Sequence, residues 1–368
     1  MSDLRKTPLH ALHVELGAKM VPFTGYEMPV QFGLGVMKEH LQTRARAGLF
    51  DVSHMGQVLL RHEGGYGPVA RAMESLMPTG LLELGEKRQR YGVFTDEAGG
   101  ILDDLITYRL EDDFYRLVVN AATRESDLEW IGRQLVGYDL SIGERDDLAM
   151  IAVQGPDAIG HVIDVLDVPA LNGLKPFRSF VHDDFFIART GYTGEDGCEI
   201  IMPNALADPT WRALAGRGVV PCGLGARDSL RLEAGLNLYG QDMDRETTPL
   251  ESNLAWTVAF EPENRDFIGR AALEQQKSDG VGRKLVGLLL GAGGIPRSGA
   301  PVTTGAGDGV VTSGGFSPTL ERPIAMARIP VDAVDPVEIE LRGKKLAARV
   351  VKLPFVRNGR PRKGLMDA

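Results

Sequence analysis

Two adjacent carboxylates lie inside an apolar run, GGILDDLITYRL, at residues 99–110. Because alternate side chains of a β-strand share a face, Asp103 would lie on the face of Arg109, and Asp104 would lie on the face of Tyr108. The face of Asp104 is the more apolar, so we expect it to point inward and Asp103 to be a structural acid paired with Arg109. A buried carboxylate needs hydrogen bonds or acquires a raised pKa. Asp104 is therefore either a hydrogen-bonded structural acid or a functional group.

A glycine-rich stretch, GYTGEDGCEI at residues 191–200, is the second candidate. Its three glycines permit tight or positive-φ backbone, so the loop could wrap closely around a planar ligand with Tyr192 stacked on it. A simple hairpin turn is the alternative, and for the loop taken alone it is the stronger interpretation. Glu199 follows the turn in the next predicted strand.

A predicted helix at residues 225–234, within GLGARDSLRLEAGLNLYG, carries Arg227 near its start. A cation is disfavoured at the positive end of the helix dipole, so Arg227 needs a specific partner, either a carboxylate or a ligand. We expect Glu199 to be that partner.

Several common chemistries have no anchor in this sequence. The glycine-rich stretches GGYGPV and GLGARD lack the full GxGxxG spacing of a dinucleotide site, and neither a P-loop nor a GxSxG elbow occurs. The two cysteines, Cys198 and Cys222, have no CxxC partner, and HExxH is absent. We therefore expect two buried thiols, with neither a disulfide framework nor a metal site.

The elements that must position these residues form two cycles of short strands and helices. The first cycle has a helix at 34–47, the strands QVLLRHE, RYGVFTD, ILDDLITYRL and FYRLVVN in an antiparallel meander with a turn at EDD, and a helix at 122–136. The second has the strands MIAVQG, FFIART and CEIIMP and helices at 205–215 and 225–234. After about residue 282, Gly, Pro, Thr and Val dominate short β-runs, which predicts a separate all-β barrel or sandwich.

Composition excludes other classes. The 368 residues are 43% hydrophobic and 25% charged, as in ordinary globular proteins, and the formal net charge of −9 disfavours nucleic-acid binding. No run of about 18 apolar residues is present, and the N-terminus resembles neither a signal nor a transit peptide. We expect an intracellular protein that neither spans a membrane nor binds nucleic acid, in the cytoplasm or, for a eukaryotic chain whose transit peptide has been removed, the mitochondrial matrix.

Nine motifs, in this order, resemble the aminomethyltransferase family, the T-protein of the glycine cleavage system. They are FTGYEMPVQF, LFDVSHMG, GGILDDL, VQGP, GYTGEDG, GLGARDSLRLEAGLNLYG, TTPLE, VTSGGFSP and LPFVRNG, and they span nearly the whole chain. The resemblance implies an α+β fold, a three-domain cloverleaf with folate at its centre. It implies a discontinuous folate-binding α/β domain at 1–50 and 140–280, an α+β domain at 51–139, and a C-terminal β-barrel at 281–368.

The resemblance also implies the reaction. The methylene carbon of aminomethyl-dihydrolipoyl H-protein would pass to tetrahydrofolate, giving 5,10-methylenetetrahydrofolate, ammonia and dihydrolipoyl H-protein, without a metal. Through H-protein, the chain would work with glycine decarboxylase and dihydrolipoamide dehydrogenase. Asp104 would be the catalytic carboxylate facing the reactive folate nitrogens. The residues that would bind folate are Met55, Tyr91, Asn120, Tyr192, Glu199, Arg227, Tyr239 and Trp256.

This chemistry suits the residues. A fixed carboxylate in a water-poor site could orient the folate and stabilise cationic character at the transferred carbon. Two rivals exist: folate-dependent demethylases of the same superfamily, and non-catalytic folate-binding modules that depend on a reactive cysteine. The sequences around Cys198 and Cys222 do not look like that cysteine motif. The basic run VRNGRPRK is either a solvated tail or a contact for the folate glutamate tail or for H-protein.

Overall fold

The computed structural model describes residues 4–111, 114–291 and 293–366. Within these residues, no helix is long and apolar enough to cross a membrane. The helices are α1 His10–Glu15, α2 Val36–Ala45, α3 Tyr66–Leu76, α4 Arg124–Gln134, α5 Ala158–Leu166, α6 Asn204–Gly216, α7 Leu224–Glu233 and α8 Arg270–Asp279. The predicted helices therefore exist, each within a few residues of its predicted ends.

The strands also follow the predicted order. They are β1 Lys19–Phe23, β2 Tyr26–Gln31, β3 Gly48–Asp51, β4 Gly56–Arg61, β5 Arg88–Thr95, β6 Ile101–Glu111, β7 Phe114–Val119, β8 Ser141–Glu144, β9 Leu148–Gln154, β10 Ser179–His182, β11 Phe185–Ala188, β12 Gly197–Pro203, β13 Val220–Pro221, β14 Arg283–Leu290, β15 Pro301–Thr304, β16 Gly307–Ser317, β17 Arg322–Pro330, β18 Val337–Leu341, β19 Lys344–Val351, β20 Val356–Arg357 and β21 Arg360–Pro361. Asp112 and Asp113 of the predicted EDD turn lie outside the described residues.

The first large sheet has the strand order β10-β11-β12-β9-β3-β13. It is antiparallel except for the β13–β3 pair. Its central strand β9, LAMIAVQ, is buried along nearly its whole length, as expected for a strand covered on both faces. Its core includes Ile151, Ile200 and the fully buried Trp211 of α6. This sheet holds Glu199 at the middle of β12.

The second large sheet has the order β5-β6-β7-β4-β8. The register of β6 against β7, with Leu105 opposite Val119, confirms the predicted antiparallel meander. Val58, Leu60 and Val119 are fully buried, so the apolar positions of these strands form a core as their sequences indicate.

The two aspartates of β6 differ from expectation in burial. Asp103 is fully buried, whereas Asp104 is only partly buried. The prediction from apolar content that Asp104 is the more buried of the two is therefore wrong. The predicted pairing of Asp103 with Arg109 is also wrong, because six residues along a strand separate them by roughly 20 Å. Arg109 instead donates from Nη1 to the Leu84 carbonyl at 2.8 Å and lies 4.0 Å from the Tyr66 ring centroid.

The C-terminal strands form a closed barrel of order β14-β17-β16-β15-β18-β19. Alternating apolar residues fill its interior, among them Leu288, Ile329 and Ile339, all fully buried. The predicted α+β class with a C-terminal barrel is therefore confirmed.

Packing divides the described chain into two compact units. The first comprises the residues up to Met73, Leu81–Tyr91 and Leu105–Asp228, and the second comprises Glu74–Gly80, Gly92–Asp104 and the residues from Ser229 onwards. The predicted boundaries of three domains stay a prediction.

Candidate functional site

Glu199 is a buried carboxylate in a space made by small neighbours. On β12 it lies opposite Ala152 of β9 and Ala188 of β11, and its residue is 5% exposed. Its Oε2 has no hydrogen-bond partner among the described residues. Burial raises the pKa of Glu199, and the positive charge of Arg227 partly opposes that rise. An acid in this state can accept a hydrogen bond from a ligand at little cost.

Arg227, in the first turn of α7, is the cation that acts on Glu199. Burial lowers its pKa, and the Glu199 carboxylate opposes that effect. Its guanidinium carbon lies 4.8 Å from the Tyr192 ring centroid, a cation–π distance. Its Nη1 is buried and has no hydrogen-bond partner in the described part of the chain. Glu199 is thus the electrostatic partner of Arg227, as expected. Glu199 Oε2 and Arg227 Nη1 nevertheless remain available to a hydrogen-bonding ligand.

The loop that carries Tyr192 is held in place from several directions. Arg44 donates to the Thr193 carbonyl and to Glu195 Oε1, each at 2.7 Å. Thr193 Oγ1 donates to Gln154 Oε1 at 2.8 Å. Gly191 has no room for a side chain because an added Cβ would collide with the Gln154 amide. The loop is therefore a fixed support for the Tyr192 ring rather than a bare hairpin turn.

A second aromatic residue, Tyr108 of β6, is affected by the charge of Glu199. It is fully buried, and its hydroxyl has no hydrogen-bond partner among the residues described. Burial, together with the Glu199 charge, raises the pKa of Tyr108 well above its usual value. Its ring meets Phe186 edge to face, with centroids 5.2 Å apart. Tyr108 therefore remains neutral at physiological pH.

A buried polar cluster that the sequence did not reveal forms around Asp51. Asp51 Oδ2 accepts from Thr7 Oγ1 at 2.7 Å and lies 2.9 Å from His13 Nε2. Burial alone would raise the pKa of Asp51, but its bonds to His13 and to Ser53 bring the net value below the ordinary one. The Asp51 carboxylate is therefore a buried negative charge that is held by residues distant from it in the sequence.

His54, in the LFDVSHMG motif, is affected by the charges of both Asp51 and Arg227. Burial lowers its pKa to about 4, the Asp51 carboxylate opposes this shift, and the Arg227 charge adds to it. Its ring packs edge-on against Phe23 at 5.6 Å between centroids. His54 is therefore a neutral, 6% exposed imidazole at neutral pH.

This state predicts a loss of stability in acid. Because the folded pKa lies below the unfolded value of 6.5, the unfolded state binds the proton more tightly. Stability should be complete above about pH 6.5 and should fall by about 3 kcal/mol as the pH approaches 4, since each pKa unit corresponds to about 1.4 kcal/mol. Urea unfolding at pH 7 and pH 4.5 measures this difference. His54→Gln should shrink it, whereas His161→Gln, at a partly exposed position, should not. An equal pH effect in wild type and His54→Gln would contradict the assignment.

Comparison with known families decides what this arrangement belongs to. The GCVT N-terminal domain model matches residues 9–262, and the glycine cleavage T-protein C-terminal barrel model matches residues 283–357. The chain belongs to the GCVT family. Similar proteins include the aminomethyltransferase of Xanthomonas oryzae pv. oryzae, 48% identical over 98% of this chain and 99% of the relative. That of Legionella pneumophila is 48% identical over 97% of this chain and 99% of the relative.

A solved GCVT structure agrees with the fold. The crystal structure of glycine cleavage system aminomethyltransferase T from Bartonella henselae superposes with a TM-score of 0.90 and 39% identity, covering 97% of this chain and 99% of that one. Together with the curated relatives, it confirms the predicted family, fold class and aminomethyltransferase function.

The structure distributes the predicted site residues of this GCVT chain over its two units. Six lie in the first unit, where Glu199, Arg227 and Tyr192 interact; the others there are Met55, Tyr91 and Asn120, all partly buried. The second unit carries Asp104, Tyr239 and Trp256. Tyr239 donates to the Ile101 carbonyl at 3.2 Å, and Trp256 is 67% exposed. Their predicted roles toward folate stay predictions.

The two cysteines are buried thiols. Cys198 and Cys222 are buried, and burial raises the pKa of both, for Cys222 to about 12. Thiols in this state are inert rather than nucleophilic. Within the described ranges, no group of His, Cys, Asp and Glu residues could hold a metal ion.

Proposed function

We propose that this chain transfers the methylene carbon of an aminomethyl group, carried on the lipoyl arm of H-protein, to tetrahydrofolate with release of ammonia. The observation that carries the proposal is the pair of unsatisfied buried atoms, Glu199 Oε2 and Arg227 Nη1, beside the Tyr192 ring. Membership of the GCVT family supports the same reaction. Tetrahydrofolate would supply the nitrogens that accept the one-carbon unit.

The residues of the first unit fit a reduced pterin. The amino-pyrimidine edge of a pterin is a planar array of N–H donors. A buried carboxylate such as Glu199 can accept hydrogen bonds from them. Arg227, with a free buried N–H, can donate to a carbonyl of the same ring. The Tyr192 face offers a stacking surface. Each group would then satisfy a polar atom that otherwise costs about 1–3 kcal/mol to leave buried without a partner.

We assign catalysis to Asp104 on the strength of the family resemblance. On β6 it is a partly buried carboxylate, so it is neither fully enclosed nor fully exposed. Its role would be to hold the reacting nitrogen in place and to stabilise positive charge that develops during transfer. Asp103 serves the fold, because a fully buried acid in the same strand is committed to internal contacts.

The rival cysteine-dependent folate module finds no support in the thiols, which are both buried with raised pKa values. The experiment that separates the readings is ammonia release from glycine by reconstituted partner proteins. Adding this chain with tetrahydrofolate should stimulate release, and omitting either should abolish the stimulation. Tight folate binding without stimulation would favour the module and sink the transferase proposal. Demethylation of a small methylated amine in place of glycine cleavage would favour the demethylase.

We also propose that H-protein is the partner and that the reaction takes place in the cytoplasm. Arg357 and Arg360 are exposed on the β20–β21 hairpin, within a basic run of an otherwise acidic protein. If they meet acidic groups of H-protein, raising the ionic strength should lower kcat/KM for H-protein while kcat holds. Arg357→Gln combined with Arg360→Gln should flatten this salt dependence, with Arg217→Gln, another exposed arginine, as control. The same salt slope in the double variant would count against this contact.

A further inference from the structure

A cavity of about 350 Å³ lies in the first unit and is lined by none of the residues assigned to folate. Its polar lining comprises Arg116, Arg61, Arg145, Asp183 and Asp184, and its wall is apolar. This volume is within the range of small-molecule sites. We call it the Arg116 cavity.

Arg116 is a buried cation that makes no ion pair, although the Asp147 carboxylate, which is bound to Arg145, acts on it from farther away. Its residue is 6% exposed, its Nη1 donates to the neutral Gln57 Oε1 at 3.2 Å, and its guanidinium lies 4.9 Å from the Phe186 ring centroid. Its Nε has no hydrogen-bond partner, and no carboxylate of the described residues is within ion-pairing distance. Burial lowers its pKa to about 10, so it is still charged at neutral pH. A buried charge without a partner is costly, and an anionic ligand would relieve that cost.

The other charged groups of the cavity are either already ion-paired or exposed to solvent. Arg145 is already held by Asp147 through two bonds of 2.6 and 2.7 Å, so its charge is balanced within the protein. Asp183 and Asp184 are exposed at the turn between β10 and β11. The cavity thus has an inner guanidinium, an outer pair of carboxylates and an apolar wall that includes Val181 and Phe186.

The cavity has a different lining from the Glu199 site, although both lie along one side of β12. Glu199 and Ile201 point to the same side of that strand because they are two residues apart, and Ile201 lines the cavity. The predicted folate-binding residues do not contribute to its lining. Phe186 of the cavity wall instead contacts Tyr108, the buried neighbour of Glu199.

We propose that the Arg116 cavity binds an amino acid with an apolar side chain. The carboxylate would pair with Arg116, the ammonium group would face Asp183 and Asp184, and the side chain would pack against the apolar wall. This arrangement matches a zwitterion, with each of its charges at a group of opposite sign.

Calorimetry on the full chain with three related probes tests this proposal. L-Leucine carries both charges, 4-methylpentanoate lacks the ammonium group, and 3-methylbutylamine lacks the carboxylate. We expect leucine to bind most tightly, the acid more weakly, and the amine at least about tenfold more weakly than leucine. Asp183→Asn combined with Asp184→Asn should reduce leucine to the affinity of the acid. Saturating tetrahydrofolate should leave leucine binding unchanged, since none of the predicted folate-binding residues lines the cavity.

Variants of the cavity make the test independent of folding. Arg116→Gln should abolish carboxylate-dependent binding, but this buried position is sensitive. Val181 is 60% exposed, so Val181→Glu and Val181→Lys are matched substitutions that the fold should tolerate. Both substitutions interrupt the apolar wall, so both should weaken leucine. 4-Methylpentanoate carries only a negative charge, so glutamate should weaken it more than lysine does. Equal binding of 4-methylpentanoate by these two variants, binding of the amine as tight as leucine, displacement by tetrahydrofolate, or no heat with leucine up to about 10 mM would each overturn the proposal.

Discussion

Asp104→Asn should lower kcat by about 100-fold or more, the scale seen when one preorganised electrostatic group is removed from an active site. Asparagine keeps the size of aspartate and removes its charge, so the group that offsets developing positive charge is lost. Because Asp104 is only partly buried, the variant should fold with nearly wild-type stability. Tetrahydrofolate affinity should change little, since positioning of the pterin rests on other residues.

The adjacent aspartate provides a matched control. Asp103→Asn changes the same chemical group one residue away on β6, but at a fully buried position. It should lower the melting temperature while leaving kcat of the folded fraction close to wild type. Single-turnover transfer rates and thermal unfolding of both variants separate the two roles. A loss of folate affinity in step with kcat in Asp104→Asn would make that residue a binding group. Near-normal kcat would remove it from catalysis.

Glu199→Gln should weaken tetrahydrofolate binding by about 10–100-fold, as expected when a hydrogen bond to a charged acceptor is lost. The substitution preserves the shape of the side chain between Ala152 and Ala188 and removes the charge that acts on Arg227. Equilibrium binding by fluorescence or calorimetry measures the change. Asp228→Asn, at an exposed position one residue beyond Arg227, should leave affinity unchanged.

Arg227→Gln should produce a pH dependence of its own. Arg227 opposes the rise that burial causes in the pKa of Glu199, so removing it should raise that pKa further. A larger fraction of Glu199 would then be protonated at any given pH, and affinity should recover as the pH increases through the new pKa. In wild type, the same recovery should lie at lower pH. If affinity recovered at the same pH in wild type and variant, Arg227 would not be setting the pKa of Glu199.

Much of this fold could be predicted from local patterns. The period of two in the strands and the glycine-rich turns predicted the order of elements, including the meander around β6 and the C-terminal barrel. Alternation also placed Asp103 and Asp104 on opposite faces correctly. Which face is buried could not be read from apolar content, because Ile101, Leu105 and Tyr108 show that both faces of β6 are largely covered.

The candidate site was predictable only in part. Glu199 and Arg227 could be suspected because an acid beside a glycine-rich turn and a cation at a helix start both require partners. His54 and Arg116 were missed because their states depend on burial by segments distant in sequence. A buried histidine or arginine has no local pattern that distinguishes it from an exposed one, so only the packed structure shows the missing partner.

Closure of the C-terminal barrel also constrains how the chain is made. Strand β14 pairs with β19, so Gly287 needs Val351 as its register partner. During synthesis, the ribosome must release the chain through β19 before this seam can form, and until then β14 has an unpaired edge. A premature stop codon anywhere ahead of β19 would leave that edge permanently open. Such fragments should be prone to aggregate and to recruit chaperones, even when the first 280 residues are intact.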